Sequence, residues 1–132
     1  MYTPLYFSLF SILYIVISFA TIKARKTNKV ALGTGDQDEI IGYVSSHSNF
    51  AAYVPFILLG MLLIETQSPQ NPIIHVIGVL ALFGRIIHYK ALTASPQNFK
   101  LRVRGMQLTL IPLMVAIGAN ILIFAKNMIA NN

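Results

Sequence analysis

Apolar residues along this chain fall into four long blocks, separated by short clusters of charged or turn-forming residues. The blocks cover residues 4–22, 49–64, 72–89 and 105–125. Each approaches the roughly 20 residues an α-helix needs to cross a bilayer core, so the pattern predicts four membrane-spanning helices. The second block is short, but Gly35 followed by Asp36, Asp38 and Glu39 makes an acidic helix start, which extends that helix back to about residue 36. Prolines and polar residues at 68–72 and again at 95–98 predict tight turns between the second and third and between the third and fourth spans. Pro55 and Pro112 fall inside predicted helices, where they imply kinks whose freed carbonyls must be satisfied by neighbours. The expected fold class is all-α, with residues 1–132 forming one transmembrane domain, an integral membrane four-helix bundle.

Helical phase predicts which side chains share a face. Ser8, Ser11, Tyr14, Ser18 and Thr21 form a polar stripe on the first helix. Gly42, Ser45, Asn49, Tyr53 and Phe56 do so on the second. Gly78, Ala81, Arg85, His88 and Tyr89 share a face of the third, and Gly105, Thr109, Pro112, Ala116 and Ala119 one of the fourth. Small and hydroxyl residues at these spacings let membrane helices approach closely and hydrogen-bond, so packing is the simplest reading of most of them.

Composition narrows the class further. The 132 residues are 55% hydrophobic and only 11% charged, against roughly 25% in globular chains. A small sphere with that composition cannot cover itself with polar surface, whereas lipid demands an apolar exterior. The absence of cysteine excludes disulfides, thiolate metal sites and a cysteine nucleophile, so any thiol chemistry must use a borrowed thiol. The formal charge of +6 resolves on inspection of its distribution. Lys23, Arg25, Lys26 and Lys29 lie in the first connector, and Lys90, Lys100, Arg102 and Arg104 flank the third, while Lys126 stands alone on the opposite side. The positive-inside rule therefore puts both basic connectors in the cytoplasm and both termini outside it. No nucleic-acid partner is needed to explain the charge. The basic cluster follows the first span instead of preceding it, which marks that span as a retained anchor and not a signal peptide.

Arg85 is the residue that topology does not explain. It lies about 20 Å along the third helix from Pro72, inside the cytoplasmic part of the predicted span. An arginine there is expensive and needs a partner or a water-filled cavity. Glu65 sits at the far end of the second helix, and Asp36, Asp38 and Glu39 lie at or beyond the interface, so an anionic ligand is one candidate partner. Snorkelling to lipid phosphates or pairing with a neighbouring subunit is the other. His47, Asn49, His88, Tyr89 and Arg104 belong to the same end. The three histidines are too dispersed for a metal site, and no phosphate-binding glycine loop, serine elbow or nucleotide fingerprint is present.

The run from His47 to Phe56, His-Ser-Asn-Phe-Ala-Ala-Tyr-Val-Pro-Phe, resembles the MAPEG superfamily, the membrane-associated proteins in eicosanoid and glutathione metabolism. Arg85-Ile86-Ile87-His88 and Arg102-Val103-Arg104-Gly105-Met106 complete the likeness, which covers essentially the whole chain and points to a divergent, bacterial-type member of the inner membrane. The resemblance implies a homotrimer of four-helix subunits. It further implies that glutathione, as co-substrate, binds between subunits near the cytoplasmic face, and that its thiolate attacks or reduces a lipophilic electrophile. By the same resemblance Asn49, Tyr53, Arg85 and His88 line the glutathione site, and Arg104 is the catalytic residue that stabilises the thiolate. A cation beside a thiol favours its ionised form, which is the reactive one.

The departures carry information too. The eicosanoid-type members have an arginine where this chain has Ser45, a glutamate at Ala52 and a tyrosine at Leu92. Two charged anchors for a zwitterionic tripeptide are thus missing, each worth roughly 1.5 to 3 kcal/mol as a charge-assisted hydrogen bond. The sequence therefore leaves two functions open: a glutathione transferase or peroxidase-like enzyme, or a non-catalytic scaffold binding a lipid or small anion. A transporter fits less well, because no span has the look of a broken helix.

Overall fold

The structure is a computed structural model that describes residues 1–130. It contains four helices in sequence order, α1 (Thr3–Thr27), α2 (Asp38–Gln67), α3 (Ile73–Thr93) and α4 (Phe99–Ala130), and no strand among the described residues. All four are long and apolar enough to cross a membrane. The chain is an all-α, four-helix membrane bundle.

Polar residues extend three of the helices past their apolar blocks. α1 runs on through Lys23, Arg25 and Lys26, whose charges suit the negative end of a helix dipole. α4 starts at Phe99, where the Asn98 side chain accepts a hydrogen bond from the Leu101 amide at 3.0 Å. α2 starts at Asp38, slightly later than the acidic cluster predicts. Gly35 and Asp36 adopt left-handed backbone angles, φ +59° and +53°, which a helix cannot contain. Pro55 and Pro112 lie inside continuous helices, so neither ends its helix.

The most extensively packed helix pair is α3 with α4, and two glycines let them approach. A Cβ built on Gly105 would lie 2.7 Å from the backbone nitrogen of His88, and one on Gly84 would lie 2.8 Å from the carbonyl carbon of Leu108. Any side chain at either position would push the helices apart. The core between the helices is filled by Phe10 and Ile17 of α1, Ile57 and Met61 of α2, and Ile77 and Ala81 of α3. Phe19, Phe83 and Leu122 point outward and are more than half exposed, as lipid-facing side chains should be.

The predicted faces divide into two groups. On α3 and α4 the stripes of Gly78, Ala81, Arg85 and His88, and of Gly105, Thr109, Pro112 and Ala116, are buried inside the bundle. On α1 and α2 the polar stripes reach the packed interior only at Thr21 and Gly42, and the packing faces are otherwise mostly apolar. The buried face of α1 carries Tyr6, Phe10, Ile17, Thr21 and Ala24, and that of α2 carries Phe50, Val54, Ile57 and Met61. Two serine hydroxyls of α1 donate to their own helix, Ser8 to the Pro4 carbonyl at 3.0 Å and Ser18 to that of Tyr14 at 2.8 Å, and of these only the Ser18 oxygen also meets α2, through His47 at 3.2 Å. Without water, a local carbonyl is the nearest partner, which frees packing to follow the larger apolar side chains.

At the end of the bundle away from the basic connectors, a carboxylate closes the fold. α1 has no side-chain cap of its own. Glu65 of α2, 1% exposed, accepts hydrogen bonds from the backbone amides of Tyr2 and, at 2.8 Å, Thr3. Beside it the Tyr6 hydroxyl meets His75 Nδ1 at 2.9 Å, and the Tyr2 ring lies against the same imidazole. These contacts tie α1, α2 and α3 together at that end.

Candidate functional site

At the basic end, the third helix places Arg85 and His88 one turn apart on its inward face, and both are 2% exposed. Arg85 Nε donates to Thr109 Oγ1 at 2.9 Å, and the Thr109 hydroxyl in turn donates to the Gly105 carbonyl at 2.9 Å. Nη2 meets the Met106 sulfur at 3.4 Å. The guanidinium also lies over the Tyr53 ring, 5.9 Å from its centroid, within range of a cation–π attraction. Arg85 thus joins α2, α3 and α4, and its contacts come from a hydroxyl, a thioether and an aromatic face.

Two polar atoms in this cluster have no partner, Arg85 Nη1 and His88 Nε2. His88 Nδ1 faces the Arg102 carbonyl at 3.3 Å, and a carbonyl only accepts, so Nδ1 carries the hydrogen. In the neutral imidazole Nε2 is then a free lone pair. Within one turn of α3 the chain therefore buries an unused donor and an unused acceptor. Groups left in this way cost stability unless a ligand or ordered water meets them.

The other predicted site residues are placed differently. Asn49 is half-buried, and its amide donates back to the Ser45 carbonyl at 2.8 Å. Tyr53 follows it one turn later on the same edge of α2 and reaches toward Arg85. Arg104 is exposed at the start of α4, next to the glycine that lets α4 pack on His88. Tyr53, Arg85 and His88 come together inside the chain; Asn49 lies at its edge and Arg104 on its outer surface. Ser45, Asn49 and Tyr53 are each half-buried, so the polar stripe of α2 is left along a margin of the bundle and outside its core.

Neither principal cavity includes these residues. The larger, about 790 Å³, is an apolar groove between α1 and α2 lined by Phe7, Phe10, Tyr14, Val54, Pro55 and Leu58, among others. Near the Tyr14 end of that groove, His47 stacks on the Tyr14 ring with centroids 4.9 Å apart and lies 3.2 Å from Ser18 Oγ through Nε2. Since the Ser18 hydroxyl already donates to Tyr14, His47 acts here as the donor, which removes any reading of the pair as a serine nucleophile with its base. The smaller cavity, about 380 Å³, lies at the end of α1 among Arg25, Lys26 and Lys29.

Sequence reasoning missed the Thr109–Arg85 bond, although both residues stood in the small-residue stripes of α3 and α4. A membrane-buried arginine opposite a hydroxyl at a matching depth was the available signal. It also missed Glu65 as a cap, for which the signal was a lone acid at a helix end with an uncapped helix start elsewhere.

Comparison with known proteins agrees with this architecture. The chain matches the MAPEG family over residues 3–122. It is also 29% identical over 121 residues to the inner membrane protein YecN of Escherichia coli strain K12, an alignment covering 92% of this chain and 91% of that protein. The YecN of Escherichia coli O6:H1 matches to the same extent. With a four-helix membrane bundle, the arginine and histidine on α3, the arginine opening α4 and a match over nearly the whole length, the chain belongs to the MAPEG family.

Proposed function

We propose that this protein is a membrane-bound glutathione transferase or peroxidase-like enzyme of the bacterial inner membrane, acting on lipophilic electrophiles. Its site is completed between the subunits of a homotrimer. The observation that carries this reading is the position of the α2 polar stripe: Asn49 and Tyr53 lie at the margin of the chain, and Arg104 projects outward from the start of α4. Groups turned outward at one end of a bundle are suited to a site shared with a second copy. YecN is named as an inner membrane protein, which supports the same location here. In the inner membrane the two basic connectors face the cytoplasm, where glutathione is held, and both termini face away from it.

Glutathione brings two carboxylates, an ammonium group and a thiol. Arg104 supplies the charge that holds the thiol as thiolate, and the buried, unmet Nη1 of Arg85 supplies a donor for an anionic or carbonyl oxygen. Tyr53 and His88 complete the polar lining, and Asn49 adds an amide once it releases the Ser45 carbonyl. The ammonium has no carboxylate at Ala52, so its partner must come from elsewhere, and weak binding follows. The thiolate sulfur then forms a bond to the electrophilic carbon, and the leaving group departs with its electron pair.

The test is turnover with 1-chloro-2,4-dinitrobenzene, in which the aryl carbon gains sulfur and chloride leaves. Wild-type protein conjugates glutathione to it, and Arg104→Ala loses on the order of 10²-fold in rate while its assembly is unchanged. Loss of assembly in that variant would make Arg104 structural, and absence of wild-type conjugation with every electrophile tried would remove the enzymatic reading.

A second reading, a non-catalytic scaffold or small-anion binder, is favoured by one specific observation. Arg85 is already held by Thr109 and Tyr53, and Asn49 by Ser45, so both can serve the fold without any ligand.

A further inference from the structure

The cavity at the end of α1 is separate from the residues discussed above. Its lining is Ile22, Arg25, Lys26, Lys29, Val30 and Ala31, three cations over three apolar side chains, with no carboxylate among them. The backbone explains its shape. Lys29 takes a left-handed conformation, φ +55°, and the chain turns back so that the Lys29 amide donates to the Lys26 carbonyl at 3.2 Å and the Val30 amide to that of Arg25 at 3.0 Å. The last carbonyls of α1 are thereby met by backbone, and the basic side chains are not needed to cap them. Arg25 Nη1 donates to the Ala31 carbonyl at 3.3 Å, which fixes the guanidinium at the notch. The nearby Glu39 carboxylate accepts from the Asn28 amide at 3.4 Å and so faces the other residue of the turn.

We propose that this notch binds the phosphodiester headgroup of an anionic phospholipid. The position favours a lipid over a free anion. Ile15, Phe19 and Ile22 are 53%, 68% and 48% exposed and lie at helical spacing on one face of α1, which leads to Lys26. A phosphate held by Arg25, Lys26 and Lys29 leaves its acyl chains to run down that face, and the glycerol backbone meets Ile22 and Val30. Absence of a lining carboxylate disfavours zwitterionic headgroups, whose ammonium would meet three cations. Basic pockets at the ends of membrane helices are a recurrent solution to anionic lipid recognition.

Native mass spectrometry of the full-length protein in detergent, titrated with dioleoylphosphatidylglycerol or dioleoylphosphatidylcholine, tests this. The wild type retains phosphatidylglycerol about tenfold more tightly than phosphatidylcholine. The triple variant Arg25→Gln, Lys26→Gln, Lys29→Gln loses that preference, and the control Lys90→Gln, Lys100→Gln keeps it. Lys23 and the basic residues around the third connector still set orientation in the triple variant. The wild-type comparison needs no variant at all: equal retention of the two lipids overturns the proposal. So does an unchanged preference in the triple variant, or displacement of phosphatidylglycerol by equimolar inorganic phosphate or by glutathione, either of which would make the notch a site for a free anion.

Discussion

A buried arginine held by a threonine hydroxyl, a thioether and a tyrosine face is the most informative single residue of this protein. Membrane hydrogen bonds average only about 0.6 kcal/mol and reach about 1.7. The bond from Arg85 to Thr109 should sit near the top of that range, because losing it strands a charge. Thr109→Val is therefore expected to cost about 1–2 kcal/mol in unfolding from detergent, and most of that cost should vanish when Arg85 is already Met. Additive effects would mean that the two side chains are not coupled. The same pair of variants separates the roles of Arg85. If Arg85→Met leaves unfolding unchanged and abolishes glutathione binding, the guanidinium serves the ligand; the reverse result assigns it to the fold.

At the scale of elements, α1 depends on a residue from another helix for its start. Glu65 sits where an N-cap side chain would, and losing such a cap costs roughly 0.5–2 kcal/mol. Glu65→Ala should speed hydrogen exchange in the first turn of α1 and leave α3 and α4 unchanged, with Glu65→Gln in between because its amide keeps one accepting oxygen. Unaltered exchange in α1 would show that the contact does not hold the helix. This level also marks how far the sequence could be read. The α3 and α4 faces were legible because Gly105 and the membrane-depth Arg85 leave few close ways for those helices to meet; Gly84, which the predicted stripe did not include, adds to the same contact. The α1 and α2 faces were legible only at Thr21 and Gly42, because Ser8 and Asn49 satisfy themselves on their own helix and so carry no information about a neighbour. Bulk decided there, with Phe10, Phe50 and Met61 taking the core. The turn before α2 was misplaced slightly for a local reason, the left-handed backbone at Gly35 and Asp36.

For the whole molecule, the placement of the candidate residues matters more than their identity. Tyr53, Arg85 and His88 meet within one chain, while Asn49 lies at its margin and Arg104 on its surface. The types of residue were legible from the motif; their division between interior and exterior was not, since it depends on which edge of α2 faces α3. That division is what a site shared between subunits requires, and it ties the proposed chemistry to assembly. The charge pattern has a similarly divided meaning. Of the ten basic residues, Arg25, Lys26 and Lys29 line the notch at the end of α1, and Arg85 and Arg104 are the two that the proposed thiol site uses. The most direct test is calorimetric titration of glutathione into the purified protein, beside Arg104→Ala of the same oligomeric state. Saturable binding by the wild type, weakened about tenfold or more in the variant, is the predicted result; no saturable binding by the wild type, or equal binding by both, would contradict it.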